Sequence, residues 1–372
     1  MITIKEVKTK KEQKEFLNFP LKMYKDCKYF VPPLYMDEAK IFKKNYVYYE
    51  TSEAVYYNAY KDGVMVGRIS GILQKASNEK WNQKRVRFTR FDSINDQSVA
   101  NALFNAVEKW ATEKGMDEVV GPLGFSDLER EGLLIEGFDQ IATFEEQYNY
   151  SYYQSLLENA GYKKEIDWTE SKLYLPVEKN EKIERLLPQI MKKYKLTKVK
   201  FKNINEIIKK YGDKLFEIID IAYDKIYGSV PLSDGMKKML ISNFKTIINK
   251  EDVMIIVDDT DRIVCFGLAI PAIGKALQKS SGHLTLPALI RVLKAKKNPE
   301  VLDLALVGVL PEFEMRGVST ICIDYVFERL ENGIDHMETN LNLETNYHIQ
   351  NQWKNFSAIQ HKRRRCFIKK VL

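Results

Sequence analysis

Residues 301–330 are VLDLALVGVLPEFEMRGVSTICIDYVFERL, and this stretch decides the fold. The segment Val301–Val309 is apolar except for Asp303 and contains three valines, which predicts a buried strand. A short charged loop follows, and beyond it apolar side chains recur at the spacing of one helix face: Val318, Ile321, Cys322, Tyr325, Val326 and Leu330. The pattern therefore predicts a strand, a loop and a long helix in succession.

The loop between this strand and this helix has the features of an anion-binding site. The first backbone N–H groups of a helix have no partner within it, and they lie at the positive end of the helix dipole. Gly317 allows close approach to the backbone, and Arg316 can add a charge-assisted hydrogen bond. We therefore expect a pyrophosphate group to bind where the helix begins.

The same order of elements occurs twice along the chain. Hairpins are predicted at 55–73, around the Asp62-Gly63 turn, and at 253–273. Each hairpin precedes a strand, a periodic helix, a further strand, a short helix and a last strand. Strands joined by a crossover helix pair in parallel, so each half should contain a mixed sheet.

A chain of 372 residues is long enough for two hydrophobic cores. We expect an N-terminal domain at 1–176, a helical linker at 177–195 and a C-terminal domain at 196–372. Each domain is expected to be of the α/β (α+β) class, with a mixed, largely antiparallel twisted sheet flanked by helices.

The segment VLPEFEMRGVST at 309–320 resembles the acyl-CoA loop of the GNAT N-acetyltransferase superfamily, whose pattern is Gln/Arg-x-x-Gly-x-Gly/Ala between a strand and a helix. Its six positions are filled by Glu314, Met315, Arg316, Gly317, Val318 and Ser319. Glu314 and Ser319 depart from the pattern. A Glu314 carboxylate that faced a pyrophosphate would repel it, whereas its backbone N–H would not.

The chain also resembles a bacterial branch of that superfamily in which two such domains are fused. The resemblance extends over both halves, through FPLKMYKDCKYFVPPL, VGRISGIL, GPLGFS at 121–126, GLLIEGFD at 132–139, YYQSLLENAGY at 152–162, AYDKIYGSVPL at 222–232, LETN at 343–346 and the terminal RRRCFIKK. It implies tandem GNAT-like domains and acetyl-CoA, or another acyl-CoA, as co-substrate.

The resemblance also implies where the co-substrate would bind. Backbone N–H groups of the strand before the loop, at Val307 and more favourably Val309, would polarise the thioester carbonyl. Residues 314–320, which include Thr320, would hold the pyrophosphate. Asn346 would either bond the pantetheine arm or cap a helix.

Two carboxylates are candidates for the base that deprotonates the amine acceptor. Asp303 shares a strand face with Val307 and Val309, at a position where several superfamily members carry a catalytic glutamate. A carboxylate within an apolar strand can have a raised pKa. The alternative is an aspartate at the start of the strand, exposed to water. Glu338, on the next strand, is the second candidate.

Many superfamily members carry a tyrosine as general acid, seven residues after an asparagine. If that asparagine is Asn346, the seventh residue is Trp353, which cannot protonate a leaving thiolate in this way. Tyr347 is out of register. Catalysis then proceeds without that acid, or the activity is lost.

The equivalent loop of the first half, FDSINDQS at 91–98, has no glycine and two carboxylates. Asp96 is suited to cap the following helix, which would occupy the N–H groups that a phosphate needs. We therefore expect no coenzyme A site in the first half. It would support the second half or shape a cleft through its loops near Gly121, Gly124 and Gly132, although these loops are equally compatible with surface turns.

Composition and charge indicate which ligands, partners and cellular location to expect. The net charge of +7 suits an anionic ligand. The basic runs at 294–297 and 361–365 lack interspersed aromatic residues, so we interpret them as a solvated loop and a strand with one wet face, and nucleic acid is disfavoured. The four cysteines and four histidines have no metal-ligand or redox spacing. No signal sequence or membrane span is predicted, which indicates a cytoplasmic protein without a membrane or metal partner.

The leading hypothesis is an acyl-CoA-dependent N-acetyltransferase that acts on a small-molecule amine or amino compound. A Fem-like aminoacyl transferase, which would take aminoacyl-tRNA, is a second enzyme hypothesis. A catalytically silent binding or sensor protein that has kept the GNAT fold is a third, and Trp353 and Glu314 favour it.

Overall fold

A computed structural model describes residues 1–178 and 180–371. The strands of the first half are β1 (Ile2–Glu6), β2 (Ser52–Lys61), β3 (Val64–Gln74), β4 (Arg85–Ser93), β5 (Glu118–Gly121), β6 (Leu133–Glu136) and β7 (Lys163–Tyr174). Its helices are α1 (Lys10–Met23), α2 (Tyr35–Glu38), α3 (Lys75–Trp81), α4 (Gln97–Glu113) and α5 (Tyr152–Asn159).

Helix α6 (Glu181–Lys193) lies inside the predicted linker range and leads into the second half. The strands there are β8 (Thr197–Lys198), β9 (Val253–Val257), β10 (Ile263–Pro271), β11 (Val301–Val309), β12 (His336–Thr339), β13 (Asn342–Leu343) and β14 (Ser357–Lys370). The helices are α7 (Ile204–Ala222), α8 (Asp234–Ile247), α9 (Gly274–Gln278), α10 (Leu286–Lys297), α11 (Pro311–Glu314), α12 (Ser319–Glu331) and α13 (Tyr347–Trp353). Short 3-10 turns lie at Ala39–Phe42, Val47–Glu50 and Lys250–Asp252.

Both halves contain the predicted mixed sheet. In each, a hairpin (β2–β3 or β9–β10) is followed by a parallel pair, β4 with β5 and β11 with β12, and the other strand pairs are antiparallel. The crossover helices α4 and α12 connect the parallel strands. All six apolar side chains that the sequence places on one face of the second helix are buried. The duplicated α/β architecture is therefore confirmed.

The last strands of the two halves are exchanged. Within the described residues the strands form one continuous sheet in the order β1-β2-β3-β4-β5-β14-β7-β12-β11-β10-β9-β8. Strand β14 pairs with β5, placing Phe367 opposite Gly121, and β7 pairs with β12, placing Leu173 opposite Met337. Each half is therefore completed by a strand from the other. The domain boundaries at 176 and 196 stay a prediction.

Ion pairs are buried at this seam. The Lys362 ammonium is 3.2 Å from both Glu170 and Glu338, and Arg364 Nε donates to Glu170 at 2.6 Å. The side chains of Lys362 and Arg364 are 1% and 0% exposed. The interpretation of 361–365 as a strand with a wet face is thus wrong for these two residues, because carboxylates from the neighbouring strands β7 and β12 neutralise them.

Helices α7 and α8, which the sequence analysis did not predict, cover one face of the second sheet. Their apolar residues pack with β9, β10 and β11. This cluster contains Ile207, Phe216, Ile219 and Leu240 from the helices and Ile255 and Phe266 from the strands. The Asn203 and Ser233 side chains cap their first turns. The end of α7 delivers Tyr223 to the edge of β11.

Candidate active site

A cleft opens where β11 and β12 diverge. The two strands pair from Val301 to Leu304, and β11 then continues to Val309 while β12 ends at Thr339. The cavity between them has a volume of about 250 Å³. One wall is the edge of β11 from Leu304 to Val309, and the opposite wall is 339–343 with α13.

The edge of β11 carries the backbone groups that the sequence analysis singled out. Its pairing with β10 shifts register between Leu268 and Ala269, so Ala305 forms a bulge. The Val307 N–H donates to the Tyr223 hydroxyl at 3.2 Å, and that hydroxyl donates to the Val307 carbonyl at 3.1 Å. Because backbone groups alternate along a strand, the N–H of Val309 also points into the cleft.

Tyr223 was missed by the sequence analysis, although the AYDKIYGSVPL segment that contains it was noticed. It lines the cleft beside Cys322. Burial raises the pKa of the Tyr223 hydroxyl, so it keeps its proton over the physiological range. A neutral hydroxyl at this position can donate a proton.

The predicted anion loop lies at the rim of the same cleft. Helix α12 begins at Ser319 after Val318, and no side chain caps it. The N–H groups of Arg316 and Thr320 donate to Phe313 and Gly317 carbonyls. Among the described residues, no hydrogen-bond partner is found for the N–H groups of Gly317, Val318 and Ser319.

The side chains of this loop have roles that differ from those expected. Gly317 has a φ of +80°, and a Cβ added there would lie 3.2 Å from Ile190 of α6. Backbone conformation and helix packing therefore account for the glycine. Arg316 lies over the rings of Tyr194 and Phe313, and Val318 is buried in the core. Met315 is 91% exposed. Glu314 is exposed and lines the cleft, while Thr320 lies in the first turn of α12.

Asn346 and Trp353 flank the other side. The Asn346 side chain accepts from the Ile349 N–H at 3.2 Å and so caps α13, while it also lines the cleft. The Trp353 indole donates to Asn342 at 2.6 Å and is 6% exposed. Tyr347 is 70% exposed. Neither Trp353 nor Tyr347 is positioned to protonate a leaving group.

The two predicted bases differ in environment. Asp303 is only 4% exposed, and its Oδ2 has no hydrogen-bond partner. Burial, then the charges of Glu145 and Glu338, raise the pKa of Asp303 well above its ordinary value. The alternative of a water-exposed aspartate is therefore wrong. Burial opposes ionisation of Glu338 as well, but its contacts with His336 and Lys362 hold the pKa of Glu338 at about 2.

The first half supplies an acidic wall that sequence reasoning missed, consisting of Glu131, Glu145 and Glu146. Each has a buried carboxylate oxygen without a hydrogen-bond partner. Burial raises the pKa of Glu145 to about 7, against the charge of Arg130, and that of Glu146 to about 8, against Arg364. The predicted loops near Gly132 do reach a cleft between the halves.

The equivalent position in the first half is closed. Asp96 caps α4 through the Ser98 N–H at 2.9 Å, as predicted. The N–H of Ser93, at the end of β4, donates to the Tyr153 hydroxyl at 3.0 Å. The N–H at the end of β4 and the first turn of α4 are thus both occupied by side chains of the first half.

The described residues contain no cluster of histidine, cysteine or acidic side chains arranged to hold a metal ion. The Cys265 and Cys322 thiols lie 3.2 Å apart in the core, a proximity that their sequence spacing does not reveal. No helix among the described residues is long and apolar enough to cross a membrane.

The duplicated sheet with its splayed strands has the fold of two tandem GNAT-like domains. A tandem GNAT protein from the clavulanic acid biosynthesis pathway matches 100% of this chain and 99% of its own, with a TM-score of 0.55 at 11% identity. A conserved protein of unknown function from Enterococcus faecalis matches 100% of this chain and 73% of its own, with a TM-score of 0.53 at 7% identity. The resemblance stated from the sequence is confirmed at the level of the fold.

Two relatives are similar in sequence. Protein YghO of Escherichia coli is 26% identical over 97% of this chain and 94% of its own. A protein of Caulobacter vibrioides described as a bacterial ceramide synthase is 24% identical over 75% of this chain and 72% of its own. No protein-family model matches the chain.

Proposed function

We propose that this protein is an N-acyltransferase that moves an acyl group from coenzyme A to an amine. The observation that carries the proposal is one cleft that combines Glu314 of the predicted anion loop, the edge of β11 and the acidic wall of Glu131, Glu145 and Glu146. Each of these three carboxylates has a buried oxygen without a hydrogen-bond partner, and the amides at the start of α12 follow Glu314 in the chain. Amides suit an anionic diphosphate, and carboxylates suit a cationic amine.

Coenzyme A would supply the acyl group as a thioester. The amides of Gly317, Val318 and Ser319 would hold its pyrophosphate, and the N–H groups of Val307 and Val309 would face the acyl carbonyl. The Val307 N–H becomes available only when the Tyr223 hydroxyl moves from its present position. Glu314 lines the cleft, so its carboxylate would have to turn away from a bound pyrophosphate.

Glu145 is the residue best placed to deprotonate the amine. Its pKa of about 7 lies close to the operating pH, where a general base is most effective. Asp303 does not line the cleft, and its raised pKa keeps it protonated, so we assign it no catalytic role. Glu338, held ionised by Lys362, has a structural role.

Tyr223 takes the place of the absent tyrosine after Asn346. Its protonated hydroxyl can donate to the thiolate that leaves when the amide bond forms. This assignment removes the main reason for considering the protein catalytically silent.

The acyl group need not be acetyl. A second cavity of about 110 Å³, lined almost entirely by apolar atoms, lies between α7, α8 and β10. It shares Leu128, Phe244 and Leu306 with the cleft. The relative described as a ceramide synthase supports this extension, because a ceramide is an amide of a long-chain amine. We propose that the apolar cavity holds the tail of a longer acyl chain.

The proposal is tested by acyl-CoA binding and turnover in Ser319→Glu, with Ser319→Ala as control. A glutamate in the first turn of α12 suits the helix dipole, so the fold should be retained, while it repels the pyrophosphate. We expect acyl-CoA affinity, measured by calorimetry, to fall by about tenfold or more in Ser319→Glu alone. Equal affinity in both variants, or release of no free thiol with any amine, would refute the proposal.

A further inference from the structure

Helix α10 has an apolar face that the protein does not cover. Leu286, Leu289, Ile290 and Leu293 lie on this face, at the i, i+3, i+4, i+7 spacing, and are 72%, 42%, 59% and 52% exposed. On the opposite face Ala288 and Val292 are buried, and Val292 packs in the core. Single exposed leucines are ordinary, but four large apolar side chains on one helix face form a patch that requires a partner.

The chain segment that contains this helix carries one sign of charge. Residues 274–299 contain six lysines and arginines and no aspartate or glutamate. Lys275, Lys279, Lys294 and Lys297 are exposed. The run at 294–297, interpreted from the sequence as a solvated loop, is the C-terminal turn of α10.

We propose that α10 docks this protein onto an anionic phospholipid surface. An amphipathic helix with leucine and isoleucine on one face and lysine at its border lies in the plane of a membrane interface, with its apolar side chains among the acyl chains and its cations at the headgroups. This departs from the sequence prediction of no membrane partner. It is compatible with the lack of a spanning helix among the described residues, because such docking requires none.

The charge distribution favours a lipid surface over a second copy of the chain. A symmetric dimer through this face would bring two sets of lysines together without counter-charges from 274–299, which is unfavourable. An anionic membrane neutralises the same lysines.

The position of α10 connects the docking surface to the cavities. Leu284, which precedes α10 and is 45% exposed, lines a cavity of about 410 Å³. That cavity shares Glu129, Glu145 and Phe244 with the catalytic cleft. Docking through α10 would therefore place the rim of this cavity at the lipid surface, where an amphiphilic amine can enter.

The test is co-sedimentation of the full chain with vesicles of phosphatidylcholine alone or mixed with phosphatidylglycerol. We expect binding to the mixed vesicles, reduced by about tenfold or more in Leu289→Ser/Ile290→Ser. Lys294→Gln/Lys297→Gln should bind less tightly, with a weaker dependence on salt. Ile359→Ser is the matched control, since Ile359 on β14 is 57% exposed, and it should bind like the wild type.

Ile290→Trp provides a direct measurement, because insertion into the apolar layer shifts indole emission to shorter wavelength. Circular dichroism confirms that each variant is folded. Failure of the wild type to bind mixed vesicles would overturn the proposal, as would unchanged binding of Leu289→Ser/Ile290→Ser. A wild-type dimer in sedimentation velocity that this double variant dissociates, without vesicle binding, would overturn it in favour of self-association. Because the readout is binding, the result is independent of whether the cleft is catalytic.

Discussion

Replacement of Glu145 by glutamine should lower the turnover rate and raise the free energy of unfolding at neutral pH. Glutamine keeps the shape of the side chain but cannot accept a proton. The loss of a general base lowers turnover by about 10²- to 10⁴-fold. The wild-type kcat/KM should rise with pH through about 7, the pKa of Glu145, and Glu145→Gln should lose that rise.

The stability effect follows from proton linkage. The pKa of Glu145 is raised from 4.5 to about 7 in the folded chain. Below pH 4.5 both folded and unfolded chains hold the proton, so the carboxyl makes no difference. Between the two values only the folded chain holds it, and the free energy of unfolding therefore falls as pH rises, by about 3 kcal/mol in total.

Glu145→Gln does not undergo this decline. The free energy of unfolding of Glu145→Gln should exceed that of the wild type. This difference should grow between pH 4.5 and about 7 and be constant at higher pH. For a chain of this length, about 3 kcal/mol corresponds to about 4 °C in Tm. Glu146 is close by with its own raised pKa, so the two carboxyl groups titrate as a pair and the transition will be broad.

Glu53→Gln is the control for the direction of the pH dependence of stability. Lysines 114 and 75 hold the pKa of Glu53 at about 2, so its contribution is present above its ordinary pKa and is lost as the pH falls. The assays are thermal unfolding as a function of pH, and initial rates of thiol release from acyl-CoA. A stability gap for Glu145→Gln that does not widen with pH, or a wild-type pH–rate profile in that variant, would refute the reasoning.

Three further outcomes are expected. Tyr223→Phe should lower kcat by about 10-fold or more while the KM for acyl-CoA changes little, because it removes the proton donor and no binding group; a changed KM with unchanged kcat contradicts this role. Gly212→Leu should fill the apolar cavity and shift the kcat/KM preference toward short acyl-CoA, whereas Gly212→Ala should keep the wild-type preference and raise stability by about 0.5–1 kcal/mol; identical chain-length profiles would exclude this cavity. Lys362→Met should lower the free energy of unfolding in urea by about 3–5 kcal/mol, since Glu170 and Glu338 lose a buried cation; a neutral effect would show that these carboxylates are solvated.

The elements that sequence reasoning predicted best are those whose signal is local. The strand Val301–Val309 and the face of α12 were specified by runs and periodicity within thirty residues, and both are confirmed. The Asp96 cap was predictable for the same reason, because a capping side chain acts on the next turn of its own helix.

What remained hidden depends on contacts between distant segments. Nothing in the local sequence of β14 indicates that it pairs with β5 of the first half instead of β12 of its own half. From the sequence, Lys362 and Arg364 are predicted to face solvent, because their partner Glu170 is 192 and 194 positions away along the chain. The acidic wall lies in loops without periodicity, and its raised pKa values exist only once the second half covers it.

The strand exchange ties loops of the first half to the candidate site of the second. Strand β14 pairs with β7 along its length and also holds β6, with Arg365 opposite Leu133. The loop between β6 and α5, which carries Glu145 and Glu146, is therefore fixed by the last strand of the second half. The proposed active site thus draws on both repeats, with amides and strand edge from the second and carboxylates from the first.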